Sequence, residues 1–414
     1  MLKEWSEIKL GAISELITKG TTPTGGNFSD SGINFVKSES LNYEGIIDAS
    51  KFVFIDETTN QALKRSILKE NDILFSIAGI YLGKIGIIKK EHLPANTNQA
   101  CAIIRLDHKK VDYRFIRQYL TDKSFIKYVN SLTSQSAQPN INLTDLGRIK
   151  ISIPPLPEQH RIAAVLSAYD DLIETNNTRI AVLAQMAEQL YKEWFVRLRF
   201  PAYEAAVFEK GLPKGWAVTK ISDFGRVVTG KTPLTNVPRY YGGKFHFIKT
   251  PDMHGNMFIL ETEETLTEDG FLSQKSQILP PNSISVSCIG SAGIVSITTS
   301  ECMTNQQINT LVLNEIDQLE FLYFTLRALK QTIEMFGSTG ATMTNLSKGK
   351  FENLKLIKPP SLLIKEFSRK TKPLFDSIKI LNQQNLTLKH TRDLLLPRLI
   401  SGKLRIVGLG DPSV

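Results

Sequence analysis

Cysteine is scarce in this chain. There are three in 414 residues, Cys101, Cys288 and Cys302, far apart and without CxxC spacing, so a disulfide framework or a zinc knuckle lacks its ligands. They read as small core residues. The six histidines, His92, His108, His160, His246, His254 and His390, form no HExxH or other spaced ligand set, and each reads as solvated or locally hydrogen-bonded. Catalytic signatures are missing too. Pro251-Asp252 could open a nuclease motif, but no Asp/Glu-x-Lys follows it, so the carboxylates and lysine of a metal-dependent nuclease are not in place. No Asn-Pro-Pro-aromatic or Asp-Pro-Pro-aromatic tetrapeptide occurs, which argues against amino-methyl transfer by this chain. Nor is there a run of about 18 apolar residues to span a bilayer. The first 25 residues lack the basic, apolar, small-residue order of a secretory signal, so the cytoplasm is the expected location and a membrane is no expected partner.

One motif is present and misleads. Gly225-Arg226-Val227-Val228-Thr229-Gly230-Lys231-Thr232 fits the GxxxxGK(S/T) pattern of a nucleotide-binding loop, which must follow a buried strand and open a helix whose amides hold phosphates. Here Ile221-Ser222-Asp223-Phe224 precede it, and Pro233 and Pro238 stand where the helix should run. A sister loop, Leu16 to Pro23, has the same surroundings without the motif. No nucleotide site is expected.

That sister loop belongs to a wider duplication. Trp5 maps to Trp216 at an offset of 211, Thr22-Pro23 to Thr232-Pro233 at 210, Thr97-Asn98-Gln99 to Thr304-Asn305-Gln306 at 207, and Pro154-Pro155 to Pro359-Pro360 at 205. The order never breaks while the offset drifts, as when one domain is copied and its surface loops change length. Such a molecule does the same kind of job at two places.

Each copy reads as a mixed α/β (α+β) domain followed by a long helix. INFVK, DILFSIAGI, CAIIRL, FHFIK, SISVSCIG and NTLVLN are Ile/Val/Phe-rich and bounded by Gly, Asn and Pro, hence strands. RFIRQYLTDKSFIKYVNSL and QLEFLYFTLRALKQTIEMF are helical in pattern. A polar Ser/Thr/Asn loop, a short strand and a proline pair close each domain. The expected division is a first domain at 1–157, a helix at 158–198, a second domain at 199–361 and a closing helix and tail at 362–414.

Both helices carry a heptad seam. In the first it runs Ile162, Leu166, Tyr169, Ile173, Asn176, Ile180, Leu183, Ala187, Leu190 and Trp194; in the second Phe367, Leu374, Ile378, Leu381, Asn385, Leu388 and Leu395 fall at compatible positions, with Pro397 marking the expected end. At about 1.5 Å per residue the first makes a rod of about 55–60 Å. Two such helices can pair, antiparallel if the duplication carries a pseudo-twofold axis. Charge agrees: residues 158–198 hold 4 Lys+Arg against 6 Asp+Glu, and residues 362–414 hold 10 against 4. Asn176 and Asn385 either fix the register of the seam or face water where it opens.

The net charge of +9 is spread thinly, as in a protein that touches a phosphate backbone at several points. Amide, hydroxyl and ammonium side chains recur at matching places. Amides pair with adenine, Lys and Arg with guanine, and hydroxyls with bases or phosphates; the same residue types also make good turns. The DNA-contact candidates are Lys19, Thr21, Thr22, Lys37, Asn98, Gln99, Ser134, Gln135, Gln138 and Asn140 in the first copy. In the second they are Lys231, Thr232, Lys249, Asn305, Gln306, Thr339, Thr342 and Thr344.

At PPLPEQHRIAAVLSAYDDLIETNNTRIAVLAQMAEQLYKEWF and RDLLLPRLISGKLRI, the sequence resembles the specificity subunit of type I restriction-modification enzymes, and the resemblance extends over essentially the whole chain. It implies two target recognition domains, similar to the DNA-recognition domain of adenine methyltransferases, joined by two long antiparallel coiled-coil helices with pseudo-twofold symmetry. It also implies double-stranded DNA as ligand, adenine as the methylated base, two modification subunits docked on the helices, and ATP-dependent restriction subunits. Catalysis, S-adenosylmethionine, ATP and Mg2+ would all reside in those partners, with no cofactor in this chain. Because the loops of the two copies differ, the two half-sites should differ. The competing reading is a stand-alone bivalent DNA-binding regulator, which would need no methyltransferase partner.

Overall fold

Short β-branched and aromatic runs bounded by turn residues favour a half-buried pleat, and each run named above contains a strand. The computed structural model describes residues 5–23, 28–79, 82–132, 140–337 and 345–406. The chain forms two compact units, Met1–Ile173 with Thr387–Val414, and Glu174–Leu386.

In the first unit a four-stranded antiparallel sheet has the order Ser14–Lys19, Cys101–Leu106, Ile73–Ser76, Ile85–Ile87. Beside it, Ile33–Val36 pairs antiparallel with Val53–Ile55 and parallel with Ala95–Thr97. Ser6–Lys9 and Lys150–Ile153 form a separate ribbon, Ile8 opposite Ile151. The second unit repeats the plan: Gly225–Thr229, Ile308–Leu313, Ile284–Ser287 and Val295–Thr298, extended by Phe258–Ile259. Tyr241–Ile248 lies antiparallel to Glu264–Leu266 and parallel to Cys302–Thr304, and Ala217–Lys220 pairs with Lys355–Lys358.

Several local expectations are corrected. RFIRQYLTDKSFIKYVNSL holds two helices, Tyr113–Thr121 and Lys123–Ser131, because the Asp122 carboxylate accepts the Ser124 N–H at 2.9 Å and restarts the helix as an N-cap. The polar loops likewise end in helices, Leu143–Arg148 capped by Asn142 and Lys348–Glu352 capped by Ser347. Gly225–Thr229 is a strand, and the next helical turn, Pro238–Tyr240, is a short 3-10 turn. That is not the geometry of a phosphate-binding loop.

The first long helix spans Leu156–Tyr191, 36 residues or about 54 Å, and continues as a π-helical turn, Lys192–Val196. Trp194 lies in that turn, yet it is 5% exposed and packs at 5.8 Å on Phe367 of the second long helix. The second spans Ser361–Ile400 and passes through both Pro373 and Pro397. Pro397 therefore does not end it. An internal proline costs about 3 kcal/mol, but Leu396, Leu399 and Ile400, at 8%, 1% and 6% exposure, complete the core of the first unit and hold the last turn in place.

Pairing is antiparallel. In the second unit Asn176 meets Asn385 while Tyr191 meets Phe367, and in the first Asp170 meets Arg392. All three cysteines are free and buried. Among the described residues no helix is long and apolar enough to cross a membrane.

Candidate nucleic-acid interface

The parallel strand pair of each domain decides where the polar loops gather. In the first, register pairs Val36 with Thr97, so Lys37 and Asn98 leave the sheet side by side. In the second, Ile248 pairs with Thr304, and Lys249 and Asn305 follow in the same way. The Thr97 hydroxyl donates to the Val36 carbonyl at 2.7 Å, and the Asn305 N–H to the Ile248 carbonyl at 3.1 Å.

A second loop closes on this corner. Gly20 N–H donates to the Cys101 carbonyl and Thr21 N–H to the Thr97 carbonyl, both at 3.2 Å; Gly230 and Lys231 repeat these bonds to Ile308 and Thr304 at 3.0 and 2.9 Å. The approach is so close that a Cβ on Gly20 would lie 2.0 Å from the Thr97 oxygen, and one on Gly230 2.1 Å from the Asn305 oxygen. Only glycine fits there. Thr22 then donates from its hydroxyl to Gln99 Oε1, and Thr232 to Gln306 Oε1 at 2.7 Å.

The third loop joins through the sheet ends. Ile77 N–H donates to the Ala100 carbonyl and Ile141 N–H to Ile77, both at 2.9 Å, with Ala78 bridged to Asn140. Cys288 N–H donates to Gln307 at 2.7 Å and Leu346 N–H to Cys288 at 2.9 Å, with Ile289 bridged to Asn345. Two of the recurring loops and the described end of the third therefore converge, and they do so twice.

Lys19, Thr21, Thr22, Gln99, Asn140, Lys231 and Gln306 are exposed; Lys37, Asn98, Thr232 and Lys249 are half-buried. Lys37 stands 4.9 Å over the Phe28 ring and 3.6 Å from Glu39; Lys249 stands 5.8 Å over Phe247 and pairs with Glu264. Asn305 turns inward, its Nδ2 donating to Gln307 Oε1 at 3.0 Å. Ser134, Gln135, Gln138, Thr339, Thr342 and Thr344 lie outside the described residues. Burial pushes the neighbouring Cys101 and Cys302 thiols up to about 12 and Cys288 to about 11, so none offers a thiolate nucleophile near neutrality. Asp252 serves the backbone, accepting the Lys249 N–H at 2.7 Å and the Glu263 N–H at 3.0 Å.

Sequence reasoning missed Asn309. It is buried at 3% exposure, accepts the Thr229 hydroxyl at 2.6 Å and donates to the Leu346 carbonyl at 3.3 Å, tying two loops of the second domain together. It lies inside an apolar strand run, where pattern gives no sign of a cross-link.

Along the helices Ile162, Leu166, Asn176, Phe367, Ile378 and Leu381 are buried. Tyr169, Ile173, Ile180, Leu183, Leu190, Leu374, Asn385, Leu388 and Leu395 are half-buried. Asn176 Nδ2 donates to Asn385 Oδ1 at 2.9 Å, and Asn385 Nδ2 to Asn177 Oδ1 at 2.9 Å. Two seam positions had gone unassigned because they are polar. Thr371 is fully buried with its hydroxyl on the Phe367 carbonyl, and Arg392 reaches Asp170 at 2.6 Å.

Two mixed domains with matching loop clusters on an antiparallel helix pair define a duplicated recognition scaffold. The type I restriction modification DNA specificity domain matches twice, over residues 2–185 and 213–390, and the chain belongs to that family of non-catalytic specificity subunits. It is similar to the type I restriction enzyme HindI specificity subunit of Haemophilus influenzae, 28% identical over 327 residues, 64% of this chain and 71% of that one. It is also similar to the MjaIX specificity subunit of Methanocaldococcus jannaschii, 27% identical over 418 residues, 98% and 94% of the two chains. The crystal structure of a type I restriction-modification S subunit from M. genitalium shares the fold, with a TM-score of 0.61 at 16% identity over 96% of each chain.

Proposed function

We propose that each loop cluster reads one half of a split target in duplex DNA, and that the helix pair, to which both units contribute, sets the gap between the halves. The observation carrying this reading is the convergence of two polar loops and the described end of a third at the same corner of both domains, supplied with donors and acceptors suited to base edges and phosphates. Because Lys19 and Thr21 of the first copy stand where the second has Thr229 and Lys231, the two half-sites differ and the target is asymmetric.

In this reading the chain contributes placement and no bond making. Two modification subunits dock on the helices and transfer a methyl group from S-adenosylmethionine to an adenine rotated out of the duplex; restriction subunits bring ATP and Mg2+. The assembly works in the cytoplasm. Mapping methylated adenines genome-wide in a host with and without this chain tests the proposal: one split, asymmetric motif should vanish when the chain is absent, and an unchanged methylation pattern overturns it. The gap has its own test. Four residues inserted in the first helix, about 6 Å, should change the preferred gap and leave both half-sequences alone; an unchanged gap rules out the spacer role.

A further inference from the structure

Besides Lys37 and Asn140, which recur as Lys249 and Asn345, the two domains keep six residues in common in two of the loops: Gly20, Thr22, Pro23, Thr97, Asn98 and Gln99 recur as Gly230, Thr232, Pro233, Thr304, Asn305 and Gln306. Four of these have a structural reason. The glycine has no room for a Cβ, the proline and the threonine that ends the parallel strand are buried, and the asparagine is buried or half-buried under the loop. Thr22 with Gln99, and Thr232 with Gln306, have none. Their hydrogen bonds link side chains 77 and 74 residues apart that are exposed, except for the half-buried Thr232, and a solvent-accessible neutral bond of this kind adds little to stability. Yet it forms in both domains while the residues around it change.

We propose that Gln99 and Gln306 are specificity-determining residues that read one shared element of two otherwise different half-sites: an A·T pair, contacted at the major-groove edge of adenine. This rests on the reading above that the loop clusters face DNA. A carboxamide recognises adenine by accepting from N6 and donating to N7. A free glutamine presents its oxygen and nitrogen either way round. Here the threonine hydroxyl donates to Oε1, which fixes the oxygen end and leaves its second lone pair for N6–H. Among the described residues the Nε2 of neither glutamine donates to the protein, so it is available for N7. Guanine offers O6 in place of N6–H and sets two acceptors against each other. Thr22 and Thr232 are thus positioning residues, and the glutamines touch the base.

The test uses the full chain assembled with its modification subunits and duplexes selected from a randomised library. Each half of the wild-type target should contain an A·T pair at the equivalent place, distinct from the adenine that is methylated. Gln306→Ala should lose discrimination at that pair in the second domain's half by about 10–100-fold and leave the first half's preferences untouched; Gln99→Ala should do the converse. The untouched half in each variant reports that the assembly is folded. Thr232→Val should weaken discrimination at the same pair, Thr232→Ser should restore it, and 7-deazaadenine at that position should weaken wild-type binding but not Gln306→Ala binding. Uniform weakening of every duplex by Gln306→Ala, with base discrimination kept, would mark a phosphate contact and overturn this inference alone. So would selected half-sites with no A·T pair in common other than that of the methylated adenine. A wild-type assembly that selects no sequence overturns this inference and the reading beneath it together.

Discussion

The two units are built on one plan and held by different chemistry. In the first, buried charges do much of the joining. Asp170 on the first long helix is gripped by Arg117 of the domain at 2.5 Å and by Arg392 of the second long helix at 2.6 Å, with Gln118 donating to the same carboxylate at 2.8 Å. Inside the sheet, Asp72, 1% exposed, takes Arg105 in a bidentate fork at 2.6 and 2.8 Å. In the second unit the matching residues are uncharged: Tyr323 and Phe324 replace Arg117 and Gln118, and Ser283 and Val312 replace Asp72 and Arg105. Rings do the joining there. Phe195 packs at 4.8 Å on Phe321 and 5.0 Å on Phe367, Tyr191 at 5.4 Å on Phe324, and Tyr323 at 5.5 Å on Phe375. Duplication preserved the geometry, and each copy then settled on its own way of filling it.

The largest test of this contrast is to break one core at a time. Asp72→Ala strands Arg105 half-buried and should cost the first unit about 3–5 kcal/mol. Phe375→Ala should cost the second unit about 3–5 kcal/mol. Hydrogen exchange of strand amides reads each unit separately; equal loss of protection in both units from either change would mean that they unfold as one.

Asp170→Asn should have a smaller effect, about 2 kcal/mol, since the triad is partly wetted. Burial raises this carboxyl, but Arg117 and Arg392 outweigh it and hold it below its usual 3.8. Its contribution is therefore present above that value and fades as pH falls through the depressed one. Acid should loosen the first unit's grip on the helices, and protection that persists in wild type at pH 2 would count against this.

The smallest expected effect has the opposite sign. Glu320 in the second unit is pushed above its usual 4.5 by burial, against the Ser368 hydroxyl, which donates to it at 2.7 Å. A raised carboxyl gives its full stabilisation below the usual value and loses it as pH rises through the folded one. Acidifying from neutral towards 4.5 should firm the second unit, and Glu320→Gln should abolish that response. A pH profile unaltered by Glu320→Gln would remove this carboxyl from the contrast.

Much of the scaffold was legible because it is periodic. Strand runs, the repeat order and the seam from Ile162 to Trp194 depend on spacing, which sequence displays directly. The loops were legible as matching pairs, since Thr97-Asn98-Gln99 and its copy keep their identity, but their meeting at one corner depends on the parallel register of Val36 with Thr97, which no local pattern encodes. Polar seam positions escaped for a related reason: Thr371 and Arg392 satisfy their polar atoms with Phe367 and Asp170, one a turn away and the other 222 residues away. Pro397 misled because propensity was weighed without the core that Leu399 and Ile400 enter.

That last turn has a consequence for synthesis. A ribosome finishes residues 5–173 long before it makes Leu396, Leu399 and Ile400, yet these side chains complete the earlier domain's interior. The first domain to emerge must therefore wait, its apolar floor uncovered, until nearly the whole polypeptide has been made. A chain ended after Leu386, which holds all of the second unit but lacks Leu396, Leu399 and Ile400, should leave the second unit nearer completion than the first.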